Sequence, residues 1–189
     1  VVQTRDGYLW VGTYNGLARF DGVRFTVFDD NNTPELHSSR ITSLYEAADG
    51  TLWIGTENGD VTQFKAGRFT AVPLRVHHWS GGKIYAISSD EAGDVWLMNE
   101  SGELARVRDG RVLAPTAGVI AKVVALTRSA SGQIWIDREG RVSLLTQGRL
   151  EPVGFAAATP ETYPYIQGIA ASRDGGLWVA CDGNIRKWR

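Results

Sequence analysis

The side chains best suited to ligand binding lie in a segment that joins two repeated motifs. His77, His78 and Trp79 form the most unusual run of this kind. An indole face stacks on ring-shaped ligands, and imidazole nitrogens supply hydrogen bonds. Two adjacent histidines do not make a metal site without further ligands, so the run predicts ligand contact without a metal. The alternative is that Trp79 packs over a neighbouring repeat while both histidines are solvated.

Four further polar residues stand where repeated strands end. They are Asn99, Asp137, Arg138 and Asp182. Amide and charged groups together with Trp79 suit a small molecule, above all a sugar or oligosaccharide, better than a lipid or a nucleic acid. Asp137 and Arg138 would form a ligand clamp, or alternatively a local ion pair.

The sequence offers little for catalysis. It has three histidines and one cysteine, so no intrachain disulfide is possible, and we expect Cys181 to be a small buried residue. Asp29 to Asn32 lacks the spaced carboxylates and the glycine of a calcium loop, which predicts a solvated turn. No Ser/His/Asp arrangement can be inferred. We expect no enzyme activity, no metal and no cofactor.

Composition is typical of a globular protein. The chain has 189 residues, of which 43% are hydrophobic and 22% charged, and its net charge is −1. There is no basic stripe, so nucleic acid is not an expected partner. No run approaches the ~18 apolar residues of a membrane span, and we expect no signal-peptide pattern within these 189 residues.

One short motif occurs five times. It runs from an X-Gly turn through a tryptophan to a second glycine turn, with tryptophans spaced 43, 43, 39 and 43 residues apart. The five tryptophans are Trp10, Trp53, Trp96, Trp135 and Trp178. A fixed period of this size indicates a repeat architecture, and it leaves room for four short strands per unit.

The second repeat shows how one unit is encoded. Its glycine turns at Asp49-Gly50, Asn58-Gly59 and Ala66-Gly67 separate four apolar runs, because hairpin turns need the positive φ that glycine adopts freely. The predicted strands are 41–47, 51–56, 61–65 and 68–72. The second strand, LWIGT, is apolar on both faces, so we expect neighbouring units to cover it on both sides.

These patterns predict an all-β fold, a β-propeller of four-stranded antiparallel blades with about four and a half blades present. The expected blades are 1–28, 41–72, 84–113, 122–153 and 166–189, with the first and last incomplete. We interpret the chain as a fragment of a larger propeller. Exposed terminal blades would then favour self-association.

Strand alternation divides the connections between two faces of the disc. The first and third turns of each blade lie on one face, and they are short and uniform. The second turns lie on the other face with the blade connections, which vary in length and composition. Variable loops on a rigid scaffold are the usual place for function, so we expect a ligand on this connection face.

The repeat resembles the two-component regulator propeller repeat. An apolar strand is followed by DG-x-LW-[IV]-GT-x-NG-L-x-R-[FY]-DG-x-x-F, and the first repeat, QTRDGYLWVGTYNGLARFDGVRFTVF, is similar throughout. Later repeats depart from Ile/Val-Gly-Thr at 97–99, 136–138 and 179–181. The resemblance implies the periplasmic or otherwise extracytoplasmic sensor region of a membrane-bound bacterial receptor. The membrane helix and the histidine kinase or diguanylate cyclase module would lie outside this chain, and the family has no catalytic residue in its propeller.

Three functions compete on this basis. The favoured one is a non-catalytic, ligand-sensing propeller that signals by conformational change. The first alternative is a scaffold that binds a protein partner, and the second is a propeller lyase or hydrolase. The fold alone does not decide among them, because propellers host many functions.

Overall fold

Apolar strands separated by glycine turns form five antiparallel sheets in the computed structural model, which describes residues 1–74, 79–113, 122–146, 148–153 and 166–188. We name the sheets blades 1 to 5 in chain order. Blade 1 contains β1 (Val2–Gln3), β2 (Leu9–Thr13), β3 (Gly16–Phe20) and β4 (Phe25–Phe28). Blade 2 contains β5 (Ile41–Glu46), β6 (Leu52–Thr56), β7 (Val61–Lys65) and β8 (Arg68–Val72).

The remaining blades repeat this order. Blade 3 contains β9 (Ile84–Ser89), β10 (Val95–Asn99), β11 (Leu104–Arg108) and β12 (Arg111–Leu113). Blade 4 contains β13 (Val123–Arg128), β14 (Ile134–Arg138), β15 (Arg141–Thr146) and β16 (Arg149–Pro152). Blade 5 contains β17 (Ile166–Ala171), β18 (Leu177–Cys181) and β19 (Asn184–Trp188). The all-β propeller architecture predicted from the repeats is confirmed.

A 3-10 helix, Pro34–Leu36, lies between blades 1 and 2. Within the described ranges, no helix combines the length and apolar character needed to cross a membrane. The first strands of successive blades contact one another, so they form the inner side of the arc of blades.

The hydrophobic core is divided among the interfaces between blades. Trp53 of blade 2 packs against Val95 and Leu97 of blade 3, and Trp96 of blade 3 packs in the same way against Ile134 and Ile136 of blade 4. The second strand of an inner blade is therefore covered on both faces, as its double-sided apolar pattern predicts.

Trp178 departs from this arrangement. The other four motif tryptophans are buried, but Trp178 is 42% exposed. The tryptophan of each blade faces the next blade, and no sheet of the described chain covers β18 on that side. The expectation that neighbouring units cover the second strand on both sides therefore does not hold for β18, which belongs to a terminal blade of the described chain.

The first strands of blades 2 to 5 share an irregularity. Each begins with a register shift against the second strand, so that one residue of the first strand has no partner. The skipped residues are Thr42, Tyr85, Val124 and Gln167. A bulge of this kind re-aims a side chain, and it occurs here at the end of the strand that is closest to the connection face.

Candidate ligand-binding site

Trp79 is the predicted site residue that the structure brings into a cleft. Its side chain is half-buried and packs against the core between blades 2 and 3. It also lines a cleft of about 620 Å³, which we name the blade 2 cleft. The packing and ligand-contact interpretations of Trp79 are therefore compatible. His77 and His78 lie outside the described residues.

The blade 2 cleft is built from the second turn of blade 2 and the connections on either side of that blade. It lies on the connection face and combines apolar walls with several polar groups. Its lining residues are His37, Asn58, Gly59, Asp60, Ala71, Val72, Pro73, Leu74, Trp79, Ser80 and Gly81. An aromatic ring with a few convergent polar groups is the usual composition of a small-molecule site.

His37 supplies one edge of this cleft. It ends the 3-10 helix in a left-handed conformation (φ 53°), and its backbone N–H donates to the Pro34 carbonyl oxygen. This turn brings His37 Nδ1 to 3.8 Å from Asp60 Oδ1, with both side chains partly exposed. The pair offers an imidazole and a carboxylate to a ligand. Sequence reasoning missed both residues, although His37 lies in one of the variable blade connections where a ligand is expected.

The opposite wall is held in place by hydrogen bonds from within blade 3. Ser80 donates from its backbone N–H (2.8 Å) and its hydroxyl (2.9 Å) to Glu103 Oε2. Asn99 Nδ2 donates to the same oxygen (2.7 Å) and to the Gly81 carbonyl oxygen (2.8 Å). Asn99 Oδ1 accepts the Glu103 N–H at 2.9 Å.

Asn99 therefore supports the cleft without lining it. Its side chain is buried, and its amide nitrogen and oxygen are bonded within the protein. The sequence placed it correctly at the end of β10 but did not show which way its amide points. A direct contact between Asn99 and a ligand is not available in this conformation.

Asp137 also points into the protein. It is fully buried, and it occupies the strand position of Gly12 and Gly55, which face the first strand of the following blade. Its Oδ1 accepts the Gly140 N–H at 3.1 Å, while Oδ2 has no hydrogen-bond partner in the part of the chain that is described. Burial raises the pKa of Asp137 to about 6, an effect that the hydrogen bond from Gly140 partly offsets.

Asp137 and Arg138, which the sequence offered as a ligand clamp or as a local ion pair, point to opposite sides of their strand. Arg138 is exposed on the other side of β14, and no ion pair joins the two side chains in the described structure. Asp182 is exposed in the second turn of blade 5, where its carbonyl oxygen accepts a hydrogen bond from Asn184 Nδ2 at 3.0 Å. Neither residue lines the blade 2 cleft.

The face that carries the first and third turns, which we name the first-turn face, also has a cleft, although its short glycine turns did not predict one. A second cleft, of about 820 Å³, lies there between blades 3 and 4. Its lining residues are Asp90, Glu91, Ala92, Arg106, Arg108, Gly132, Gln133, Leu144, Leu145, Thr146 and Glu151. The short, uniform turns of this face did not reveal the cleft, because side chains of two different blades form it.

The two arginines of this second cleft are already engaged. Arg106 and Arg108 both form salt bridges with Asp94, whose side chain is buried. Burial alone would raise the pKa of Asp94, but the hydrogen bonds from Arg108 and Arg106 lower it below its usual value. Because these charges are satisfied internally and no aromatic ring lines the cleft, the smaller blade 2 cleft is the stronger candidate despite its size.

The remaining candidates are structural. Asp29 Oδ1 accepts the backbone N–H groups of Asn31 and Asn32 at 2.9 Å, so the acidic run 29–32 forms an internally bonded turn. Cys181 is buried, as expected for a small core residue. Among the described residues, no group of three or more His, Cys, Asp or Glu side chains is arranged to hold a metal ion.

A comparison of the chain with models of known protein families agrees with the family resemblance of the repeated motif. Residues 35–58, which include β5, β6 and the turn between them, match the family model described as two component regulator propeller. This match confirms the resemblance that the repeats indicate. No curated protein matches the chain.

Three solved structures illustrate the range of proteins that share this fold. The extracellular domain of the hybrid two component system BT4673 from B. thetaiotaomicron is 21% identical (TM-score 0.71) over 96% of this chain and 26% of its own. A streptogramin B lyase is 16% identical (TM-score 0.62), covering 98% and 76%. YCF48 bound to D1 peptide is 19% identical (TM-score 0.65), covering 100% and 60%.

The chain thus spans about a quarter of the BT4673 structure and resembles an extracellular domain of a two component system, a lyase and a protein bound to a peptide. At these identities the likeness shows the fold alone. The choice among the three functions depends on the family match and on the site.

Proposed function

We propose that this chain, which carries a two component regulator propeller repeat, is the non-catalytic ligand-sensing part of a bacterial signal-transduction receptor. The observation that carries the proposal is the blade 2 cleft, which lies on the connection face and joins Trp79 to polar groups of blade 2 and of the connections on either side of it. The similarity to an extracellular receptor domain supports an extracytoplasmic location.

The chemistry of the cleft favours a sugar. The Trp79 ring offers an apolar surface for a pyranose face, while Asn58, Asp60 and His37 offer donors and acceptors for hydroxyl groups. A ligand that contacted all of these would link the connections on both sides of blade 2. It would favour the arrangement of blades that it binds best and so report its presence to an output module.

Calorimetric titration with a panel of neutral oligosaccharides tests this proposal. Trp79→Ala is expected to lower the affinity for a bound sugar at least about tenfold, since a stacked aromatic surface is lost. Trp178→Ala is the matched control, because Trp178 is exposed in blade 5 and away from the cleft. Equal binding by the Trp79→Ala variant, or a ligand located on the first-turn face, would show that the site is elsewhere.

The protein-interaction alternative is favoured by exposed apolar side chains on blades 1 and 5, including Phe25 and Val27 on β4 and Trp178 and Ile185 on blade 5. We propose that a second copy of the chain covers these surfaces. Sedimentation analysis should then show a dimer that Ile185→Lys dissociates. A monomer at all concentrations would contradict self-association without affecting the ligand proposal.

A further inference from the structure

A charged pair recurs at the inner edge of the connection face. In blades 2, 3 and 4 a basic residue precedes the first strand, and an acidic residue follows 17 positions later in the second turn. The pairs are Arg40 with Glu57, Lys83 with Glu100, and Lys122 with Glu139. Their constant spacing gives three copies of one arrangement, which can be compared directly within the molecule.

In blades 2 and 4 the two charges neutralise each other. Arg40 forms a salt bridge with Glu57, and Lys122 Nζ lies 2.9 Å from Glu139 Oε1. In these blades the basic group is therefore already occupied by its own acidic partner. A ligand would have to displace that partner to use the charge.

Blade 3 has the same backbone hydrogen bond between its basic and acidic residues as blade 2, but it does not have the ion pair. The Glu100 N–H donates to the Lys83 carbonyl oxygen at 2.8 Å, as the Glu57 N–H does to Arg40 at 2.9 Å. The Glu100 carboxylate, however, lies over Gly82, where its Oε1 is 2.5 Å from the place that a Cβ atom would take. No ion pair of Lys83 occurs within the described residues. Glycine at position 82 thus lets the acid turn away from the lysine.

An exposed aromatic ring accompanies this lysine. Tyr85 is the bulged residue of β9 and is 61% exposed, and its ring centre lies 5.7 Å from Lys83 Nζ. The equivalent bulged residues of blades 2 and 4 carry no aromatic ring. Arg40 of blade 2 lies 4.5 Å from the centre of the exposed Tyr14 ring of blade 1, but its charge is paired with Glu57. Blade 3 therefore combines an exposed ring with a cation that has no ion pair among the described residues.

This pair is continuous with the blade 2 cleft. Gly81 lines the cleft, and Lys83 follows it by two residues on the same connection. A ligand longer than one sugar unit could therefore contact Trp79 with one unit and reach Lys83 and Tyr85 with the next.

We propose that Lys83 and Tyr85 recognise an acidic sugar unit, so that the ligand class is an anionic oligosaccharide. This inference rests on the proposed sugar-sensing function. The Lys83 ammonium group pairs with a carboxylate on the sugar, and the Tyr85 ring stacks against its pyranose face. Lys122, held by Glu139, does not take part.

The test uses a panel in which each acidic oligosaccharide has a neutral counterpart, with trigalacturonate and its methyl ester as the leading pair. The unchanged protein should bind the acidic member more tightly, and added salt should reduce the difference because it screens the charge pair. Lys83→Gln should lower affinity for the acidic member about three- to tenfold and leave the ester unchanged. Lys122→Gln is the matched control and should leave both unchanged.

The outcomes separate this inference from the function on which it rests. Binding of neutral sugars that depends on Trp79, with no preference for acidic ones, would overturn the role of Lys83 and keep the sensor. Equal effects of Lys83→Gln and Lys122→Gln would also overturn it. Failure of every sugar to bind would overturn both.

Discussion

Gly55 of blade 2 and Asp137 of blade 4 occupy the same position of their second strands, but they form very different interfaces with the following blade. A Cβ atom on Gly55 would lie 2.6 Å from Ile84 Cγ2 and 2.4 Å from Ser43 Oγ, so the first strand of blade 3 approaches as closely as glycine allows. Asp137 instead places a carboxylate between blades 4 and 5, with one oxygen unpaired among the described residues.

The interface of blades 4 and 5 also differs from that of blades 3 and 4 in how its tryptophan is held. Trp96 Nε1, between blades 3 and 4, donates to Asp90 Oδ2 at 2.9 Å, but Trp135 Nε1, between blades 4 and 5, is buried with no partner in the described chain. A buried polar group without a hydrogen-bond partner also occurs between blades 2 and 3. It is the Ser43 hydroxyl group, which carries no charge. The comparison indicates that tight apolar contact secures blades 2 and 3, while blades 4 and 5 bear the cost of buried polar groups.

The largest expected effect on the free energy of unfolding is at the interface between blades 2 and 3. Trp53→Ala removes a large buried ring from between blades 2 and 3 and should lower the free energy of unfolding by about 3–5 kcal/mol, measured by urea denaturation. Trp178→Ala at the face of blade 5 that the single chain leaves uncovered is the matched comparison and, at a protein concentration where the chain is monomeric, should cost less than about 1 kcal/mol. Equal losses would mean that Trp178 is covered in solution.

The next effect concerns pH at the polar interface. Because the pKa of Asp137 is raised to about 6, the folded state favours the protonated acid. The protonated Asp137 side chain makes its full contribution to the stability of the folded state below the unfolded pKa of about 4. This contribution is lost as the pH rises through 6, where the buried carboxyl group ionises. Asp137→Asn should therefore increase the free energy of unfolding above pH 7, by on the order of 3 kcal/mol, and change it little at pH 4.

Denaturation at several pH values measures this difference directly. Asp109→Asn, at an exposed turn residue with a left-handed backbone that asparagine tolerates, is the control and should follow the unchanged protein. A constant effect of Asp137→Asn across the pH range would show that the carboxylate finds a partner or water in solution.

The smallest of the three effects tests the close approach at Gly55. Gly55→Ala should lower the free energy of unfolding by about 1–3 kcal/mol, since Ile84 must move to make room for the methyl group. Gly168→Ala is the control at the first strand of blade 5, where nothing lies within 4 Å of the added atom. If both variants unfold at the same urea concentration, the blades are not in tight contact at Gly55.

Much of the fold could be predicted because every blade repeats the same local signals. The glycine turns and the double-sided apolar second strand are properties of short segments, so strands β5 to β8 follow from the second repeat alone. The candidate site was predictable only in part. Trp79 stood out because it breaks the register of the motif tryptophans, whereas His37 and Asp60 are unremarkable in sequence and meet only through the turn after the 3-10 helix.

The direction of a side chain at a strand end was the main error. Asn99 and Asp137 are polar residues at the predicted positions, and the sequence favoured the open face for both. In the structure Asp137, two residues after Trp135, faces the next blade as the tryptophan does. The Asn99 amide bonds to Gly81 and Glu103. Strand alternation from the tryptophan could have predicted the direction of Asp137, whereas the partners of Asn99 are brought to it only by the folded chain.

The sequence by itself determined the repeat, the four-stranded meander and the tryptophan of each blade, because turn chemistry and apolar patterning act over a few residues. It also contained the basic and acidic pairs at a spacing of 17. Only the tertiary structure decided which of these pairs form salt bridges, which motif tryptophan is uncovered and where a cleft is formed. Those outcomes depend on contacts between residues far apart in the chain, such as Gly55 against Ile84 and Glu100 over Gly82.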